Sequence, residues 1–313
     1  MSEVLLQAAA PAASPPSAPV TRRWRAAFRD PGLLAGAVLI GAVVAAALLA
    51  PLVATLVGHG PNEQFSDETL DASGLPITGG NGFLLGADGS GRDVLVRTLY
   101  GARISLAIGI PATTIAMLVG VVVGLTGGYF GGRVDAVLAE VTNVALAFPF
   151  LVTALSVVTL NRGTAGSTLV DPAVVVVGVV ALFSWTYFAR LVRNLVVEVK
   201  ARPYVLAAIG SGASHGRILL REILPTILPT IVIYWAVQLP TNIIAEASLS
   251  YLGVGIRPPT PSWGTMIANA QDTALYQTQP WMLIAPAFAL FVTVVGFNLL
   301  ATRLRSRFDP TAS

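Results

Sequence analysis

The chain has no cysteine. Disulfides, thiolate metal sites and cysteine nucleophiles are therefore excluded, and redox compartment cannot be read from cysteine usage. Charge is also scarce. Only 11% of the 313 residues are Asp, Glu, Lys or Arg, against about 25% in a soluble domain. Such a chain cannot cover a surface facing water, so lipid must be the solvent for much of it. The 54% hydrophobic content and the mean hydropathy of +0.73 agree. No basic stripe is interleaved with aromatics, which argues against a nucleic-acid partner.

Catalytic signatures are missing as well. There is no HExxH, and no Ser/His/Asp set stands out. The glycine-containing stretch "GADGSGRD" at 86–93 lacks G-x-x-x-x-G-K-[ST], so it encodes no phosphate cradle. Nothing marks a cofactor or metal site, and the chain reads as no enzyme. If the chain's work uses ATP, the ATPase is another chain.

Six segments are long and apolar enough to span a bilayer, at about 32–58, 104–126, 136–159, 172–189, 225–245 and 281–302. The expected architecture is an all-α polytopic membrane protein. Prolines within or beside these spans (Pro51, Pro111, Pro149, Pro229 and Pro286) are read as bland kinks, since neighbouring helices can re-satisfy the backbone. With the N-terminus inside, 14 of the 19 basic residues fall on the cytoplasmic side. This favours both termini inside. Three of the five exceptions, Arg92, Arg97 and Arg103, cluster just before the second span.

The expected domain plan follows. Residues 1–30 form a disordered, Ala/Pro/Ser-rich cytoplasmic tail. Residues 31–58 are the first span and 59–100 an external segment. Residues 101–303 hold the other five helices, with a cytoplasmic loop at about 196–224, and 304–313 form a second tail.

Intramembrane ionisable groups are functional candidates because lipid makes them costly. Glu140 lies early in the third span and Glu246 at the outer end of the fifth; both histidines are in loops. Glu140 reads equally as a cavity-lining group or as a packed glutamate at the boundary. The carboxylate and histidine relay of a proton-coupled carrier is missing.

The stretch "ARPYVLAAIGSGASHGRILLREILPTILP" at 201–229 interrupts the apolar chain. One reading is a solvated connector, the other a docking surface. Pro203 suits a first helical turn. Tyr204, Ala207, Ala208 and Ser211 then share one small-residue face, opposite Val205, Leu206 and Ile209. Gly212 offers a left-handed stop, and after Ala213 the hydroxyl of Ser214 is a candidate N-cap. Pro225 and Pro229 mark entry into the next span.

This stretch resembles the cytoplasmic signature of ABC importer permeases. Ala207, Ala208, Gly212, Ile218, Ile223, Leu224 and Pro225 match, while Leu206 stands where glutamate is usual. Three further stretches resemble the dipeptide, oligopeptide and nickel branch: "LLGADGSGRDVLVRTLYGARISL" at 84–106, "LAFPFL" at 146–151, and "EASLSYLGVGIRPPTPSWGTMI" at 246–267. The resemblance implies a type I importer permease fold in a prokaryotic inner membrane. It implies a second, related permease, one or two ABC ATPase subunits carrying ATP and Mg, and an extracytoplasmic substrate-binding protein. It makes 204–212 a coupling helix, with Tyr204, Ala207, Ala208, Ser211, Gly212, Ala213 and Ser214 facing the ATPase. Glu140, Glu246, Ser248 and Ser250 are the candidates for pathway or outer gate. The implied cargo is di- or oligopeptide, with nickel chelates, haem or glutathione-like compounds as the alternative. An ion-coupled carrier working alone and a membrane protein without transport are the competing classes.

Overall fold

The computed structural model describes residues 30–161 and 169–308. The expected N-terminal tail with Arg22, Arg23, Arg25 and Arg29, as well as Arg162 and residues 309–313, lie outside them.

The described residues fold into helices joined by turns, with three isolated β-bridges. We number the helices α1 Pro31–Val57, α2 Ser66–Thr69, α3 Val94–Phe130, α4 Gly132–Ala147, α5 Phe150–Leu160, α6 Pro172–Lys200, α7 Pro203–Gly210, α8 His215–Tyr251, α9 Trp263–Gln271 and α10 Trp281–Phe308. Five of them (α1, α3, α6, α8 and α10) are long and apolar enough to cross a membrane. The α4–α5 pair makes a sixth crossing if counted as one broken span.

That pair corrects the expectation of one straight third span. The two helices meet at 78°. Phe148 and Pro149 are both extended, with ψ of 126° and 118°. A residue before proline is pushed out of the α region, and proline supplies no N–H to carry the ladder across. The other interior prolines, Pro51, Pro111, Pro225, Pro229, Pro240 and Pro286, remain within continuous helices.

Two more boundaries differ from expectation. Helix α3 begins ten residues before Ile104, because the Asp93 carboxylate caps it by accepting from Val96 N at 3.0 Å. Helix α8 begins at His215 rather than at Pro225. A π-helical stretch over Ile218–Ile223 carries it, with Leu224 N bonded to Leu219 O. Pro225 would clash with the carbonyl four residues earlier in a regular helix; the wider π turn immediately before it offers room.

The centre of the bundle is α3 against α6. Gly120, Gly124 and Gly128 recur every four residues along α3. A Cβ on Gly124 would lie 2.7 Å from the Ala189 carbonyl oxygen, and one on Gly128 would lie 2.8 Å from that of Arg193. Only glycine permits this approach of two backbones, which is how small residues drive packing where lipid offers no hydrophobic gain. Helix α1 lies against α10, with Gly36 set on Leu300 and Gly296 on Leu39 and Ile40.

The two long loops cap one end of the bundle. Residues 58–93 carry α2, and residues 252–280 carry α9 and a 3-10 turn over Asp272–Gln277. Helix α7 sits at the opposite end, between α6 and α8.

Candidate functional site: a surface helix below, a buried staple above

Helix α7 forms as the sequence suggests. Pro203 opens it, it ends at Gly210, and Gly212 is left-handed at φ +77°. Ser214 is extended at the N-cap of α8, but its side chain makes no capping bond. The face assignment needs correction. Val205 is fully buried, with Ala208 half-buried beside it, whereas Leu206 is 54% exposed and Ile209 41% exposed. The apolar side is thus split. Val205 joins a cluster with Leu125, Tyr129, Val196, Val199, Ile218 and Ile223. Tyr204, Leu206, Ala207, Ile209 and Ser211 face outward. The Ser211 hydroxyl donates to its own helix at Ala207 O, 2.8 Å away.

Polar contacts fix α7 and its exit in place. Tyr204 and Thr226 hydroxyls lie 3.2 Å apart. The Tyr129 hydroxyl lies 2.9 Å from His215 Nδ1, and Lys200 Nζ donates to the Tyr129 carbonyl. The end of α3 is thereby tied to both flanks of the 201–214 segment. Sequence reading missed Tyr129 and Lys200 here. The signal available was a lone lysine and a buried-type aromatic at adjacent span ends.

At the capped end, Glu246 is fully buried. Its two oxygens accept from Ser105 Oγ at 2.9 Å and Ser250 Oγ at 2.7 Å. Ser250 Oγ in turn accepts from Ile256 N at 3.0 Å. One carboxylate therefore joins α3, α8 and the loop that follows α8. Ser248 stands apart, donating to Ile244 O on its own helix. Glu140 is exposed on α4. The structure thus brings Glu246 and Ser250 together and leaves Glu140 and Ser248 elsewhere.

Two of the three clustered arginines also find a physical reason, while Arg103 is exposed beside the Tyr100 ring. Arg92 Nε lies 2.8 Å from Asp88 Oδ2, and Arg97 Nε lies 3.4 Å from the same oxygen. Arg97, only 2% exposed, also donates to Pro61 O at 2.7 Å and Pro259 O at 3.3 Å. His59 pairs with Asp93 at 2.8 Å and stacks on Phe83. Gln279 Nε2 reaches Ile77 O and Leu85 O at 2.7 and 2.9 Å. The "GADGSGRD" stretch and the start of α3 therefore form a knot joining the two loops, in which the buried Arg92 and Arg97 serve the fold of the cap.

A third polar group was not anticipated. Asn242 on α8 accepts from Ser184 Oγ of α6 at 2.7 Å and donates to Thr113 Oγ1 of α3 at 2.8 Å. Such hydrogen bonds join helices where no water competes.

Comparison with known proteins converges on one family. Residues 94–312 match the family described as binding-protein-dependent transport system inner membrane component. The chain is 32% identical to a di/tripeptide transport system permease protein of Pseudomonas aeruginosa, over 96% of each chain. It is 29% identical to a dipeptide transport system permease protein of Alkalihalophilus pseudofirmus, covering 92% of this chain and 90% of that one. It is 39% identical to a glutathione transport system permease protein of Pectobacterium atrosepticum, over 72% of each. The chain belongs to the binding-protein-dependent transport system inner membrane components, the permease subunits of ABC importers.

Proposed function

We propose that this chain forms, with a second related permease, the transmembrane pathway of an importer for di- and oligopeptides. ATP and Mg are held by one or two ABC ATPase subunits, and a binding protein outside the membrane delivers the cargo. The observation that carries the coupling role is α7. It presents Tyr204, Leu206, Ala207 and Ile209 outward at one end of the bundle while a single valine, Val205, roots it in the core. Gly212 then turns the chain straight into α8. A groove on an ATPase subunit is the occupant that family membership supports. The surplus of basic residues around that end supports placing it in the cytoplasm, with both termini.

Leu206 replaces the usual glutamate with an exposed apolar side chain. Docking here rests on shape and apolar contact rather than on a charge pair at that position. At the capped end, Glu246 and Ser250 act as a staple that sets the outer loop, and residues 248–264 offer a surface to the binding protein. Closure of the ATPase pair displaces α7, the bundle reorients, and hydrolysis resets it.

The test is reconstitution. The chain is co-expressed with its candidate permease, ATPase and binding-protein partners, purified, and placed in proteoliposomes. Uptake of a labelled dipeptide that requires ATP and the binding protein is the expected result. Uptake by this chain alone on an ion gradient would overturn the reading. The relatives named for glutathione favour a second cargo, itself a tripeptide. Competition by glutathione against dipeptide uptake separates the two.

A further inference from the structure

Helix α4 is built as a strut with a hinge at each end. Gly131 and Gly132, both left-handed at φ +66° and +52°, separate it from α3. The 78° break at Phe148 and Pro149 separates it from α5. Between these hinges it has little apolar anchorage, for Thr142 is its one buried residue. Leu138 and Ala139 are half-buried, and two polar contacts tie it to α6. Arg193 of α6 grips Asp135 with both arms, Nε to Oδ1 and Nη2 to Oδ2, each at 2.5 Å. Two turns along, Arg190 Nη2 donates to Asn143 Oδ1 at 3.0 Å. A cleft of about 280 Å³ lies between the hooks, lined by Gly124, Gly127, Leu138 and Thr142 among others. Gly127 leaves room for the carboxylate, since a Cβ there would lie 3.4 Å from Asp135 Oδ1.

Helix α6 is also the element that carries α7. The link is tight: Arg202 N bonds to Val199 O at 3.0 Å, and Arg202 O accepts from Val205 N and Leu206 N at 3.0 and 3.1 Å. Arg202 pairs with Glu198 one turn back. There is no slack in which a displacement of α7 could be lost before reaching α6. Arg193 lies seven residues before the end of α6, which is about 10 Å along the axis.

We infer that Asp135–Arg193, assisted by Asn143–Arg190, is the linkage by which movement of α7 and α6 drives the hinged strut α4. Arg193 and Asp135 are positioning residues in this reading. A half-exposed ion pair adds little to stability. A two-pronged guanidinium–carboxylate contact does fix direction, because both bonds must be kept in one plane. Two hinges with a directional grip between them describe a driven part. The inference rests on the coupling role proposed for α7.

The experiment uses the whole reconstituted importer with charge-reversed Asp135→Arg, Arg193→Asp and the double exchange. Cargo taken up per ATP hydrolysed is measured, together with the melting temperature of the purified complex. The expected result is a fall of about tenfold in cargo per ATP for each single variant. The double exchange should recover at least half, and the melting temperature should stay where it was. Singles that transport normally, or a double exchange no better than either single, would overturn the linkage. If the charge-reversed chains fail to assemble, the near-isosteric Asp135→Asn variant gives the same reading, with at least a threefold fall expected and none overturning it. Gly212→Val separates the two levels. If it uncouples and the Asp135 variants do not, the linkage fails alone; if it does not uncouple, the coupling role of α7 fails.

Discussion

The Trp263 indole of α9 donates to the Thr98 carbonyl of α3 at 3.0 Å, and its ring lies directly over Gly101. This contact seats the loop of residues 252–280 on the start of α3. Trp263 is fully buried. A Cβ on Gly101 would sit 2.8 Å from the ring, at Cδ1. Trp263→Ala is expected to cost about 3–5 kcal/mol. Trp263→Phe keeps most of the packing and loses the bond to Thr98, so about 1 kcal/mol is expected. Thermal unfolding of the purified chain in detergent measures both. Equal losses for Ala and Phe would show that the hydrogen bond, and not the ring, seats the loop.

The glycine stripe of α3 gives a second expectation. The atom in the way at Gly124 is the backbone oxygen of Ala189, which no rotamer change can move aside. Gly124→Leu should therefore separate α3 from α6 and sharply reduce the yield of folded protein, as read by size-exclusion profile. Gly178→Leu on α6 is the control, because nothing lies within 4 Å of a Cβ there. A Gly124→Leu chain that elutes and melts like the parent would show that the close approach is not required.

Glu246 supplies a third. Removing it by Glu246→Ala leaves the Ser105 and Ser250 hydroxyls without their buried acceptor, and each orphaned group costs about 1–3 kcal/mol. Glu246→Gln keeps one acceptor oxygen, and its amide can donate to a hydroxyl that turns to receive it. The alanine chain should melt well below the glutamine chain. Equal melting temperatures would mean that the charge, and not the hydrogen-bond geometry, holds the loop that follows α8.

The spans and the ends of α7 were legible because length, apolarity and the residues Pro203 and Gly212 act locally. The break at Pro149 was not, because six other prolines, Pro225 among them, sit inside unbroken helices here. Whether a proline bends or breaks a helix depends on what neighbours supply. The role of Arg97 was hidden for another reason: it meets Asp88, Pro61 and Pro259, and the last lies 162 residues away. The face of α7 was misjudged from side-chain size, since a short helix of eight residues needs only one anchor, Val205, and leaves Leu206 and Ile209 exposed. Gly120, Gly124 and Gly128 could have been read, being a small-residue repeat of period four within a span.

The left-handed turn after α7 gives the most direct test of the proposed coupling. Gly212 has φ +77°, and a Cβ there would meet nothing within 4 Å. The constraint is therefore conformational and not steric crowding. A residue with a Cβ costs about 1–2 kcal/mol in that region, and a β-branched one is a stronger outlier. Gly212→Asn should be tolerated, because asparagine accepts the left-handed region. Gly212→Val should shift the path between α7 and α8 and lower cargo uptake per ATP, while the chain still inserts in the membrane. Gly216, four residues on, is not left-handed and is equally uncrowded. Gly216→Val should leave uptake near the parent value. The order Asn above Val at 212, with Val harmless at 216, is what a conformational hinge predicts. Normal uptake by Gly212→Val would remove the turn from the coupling path.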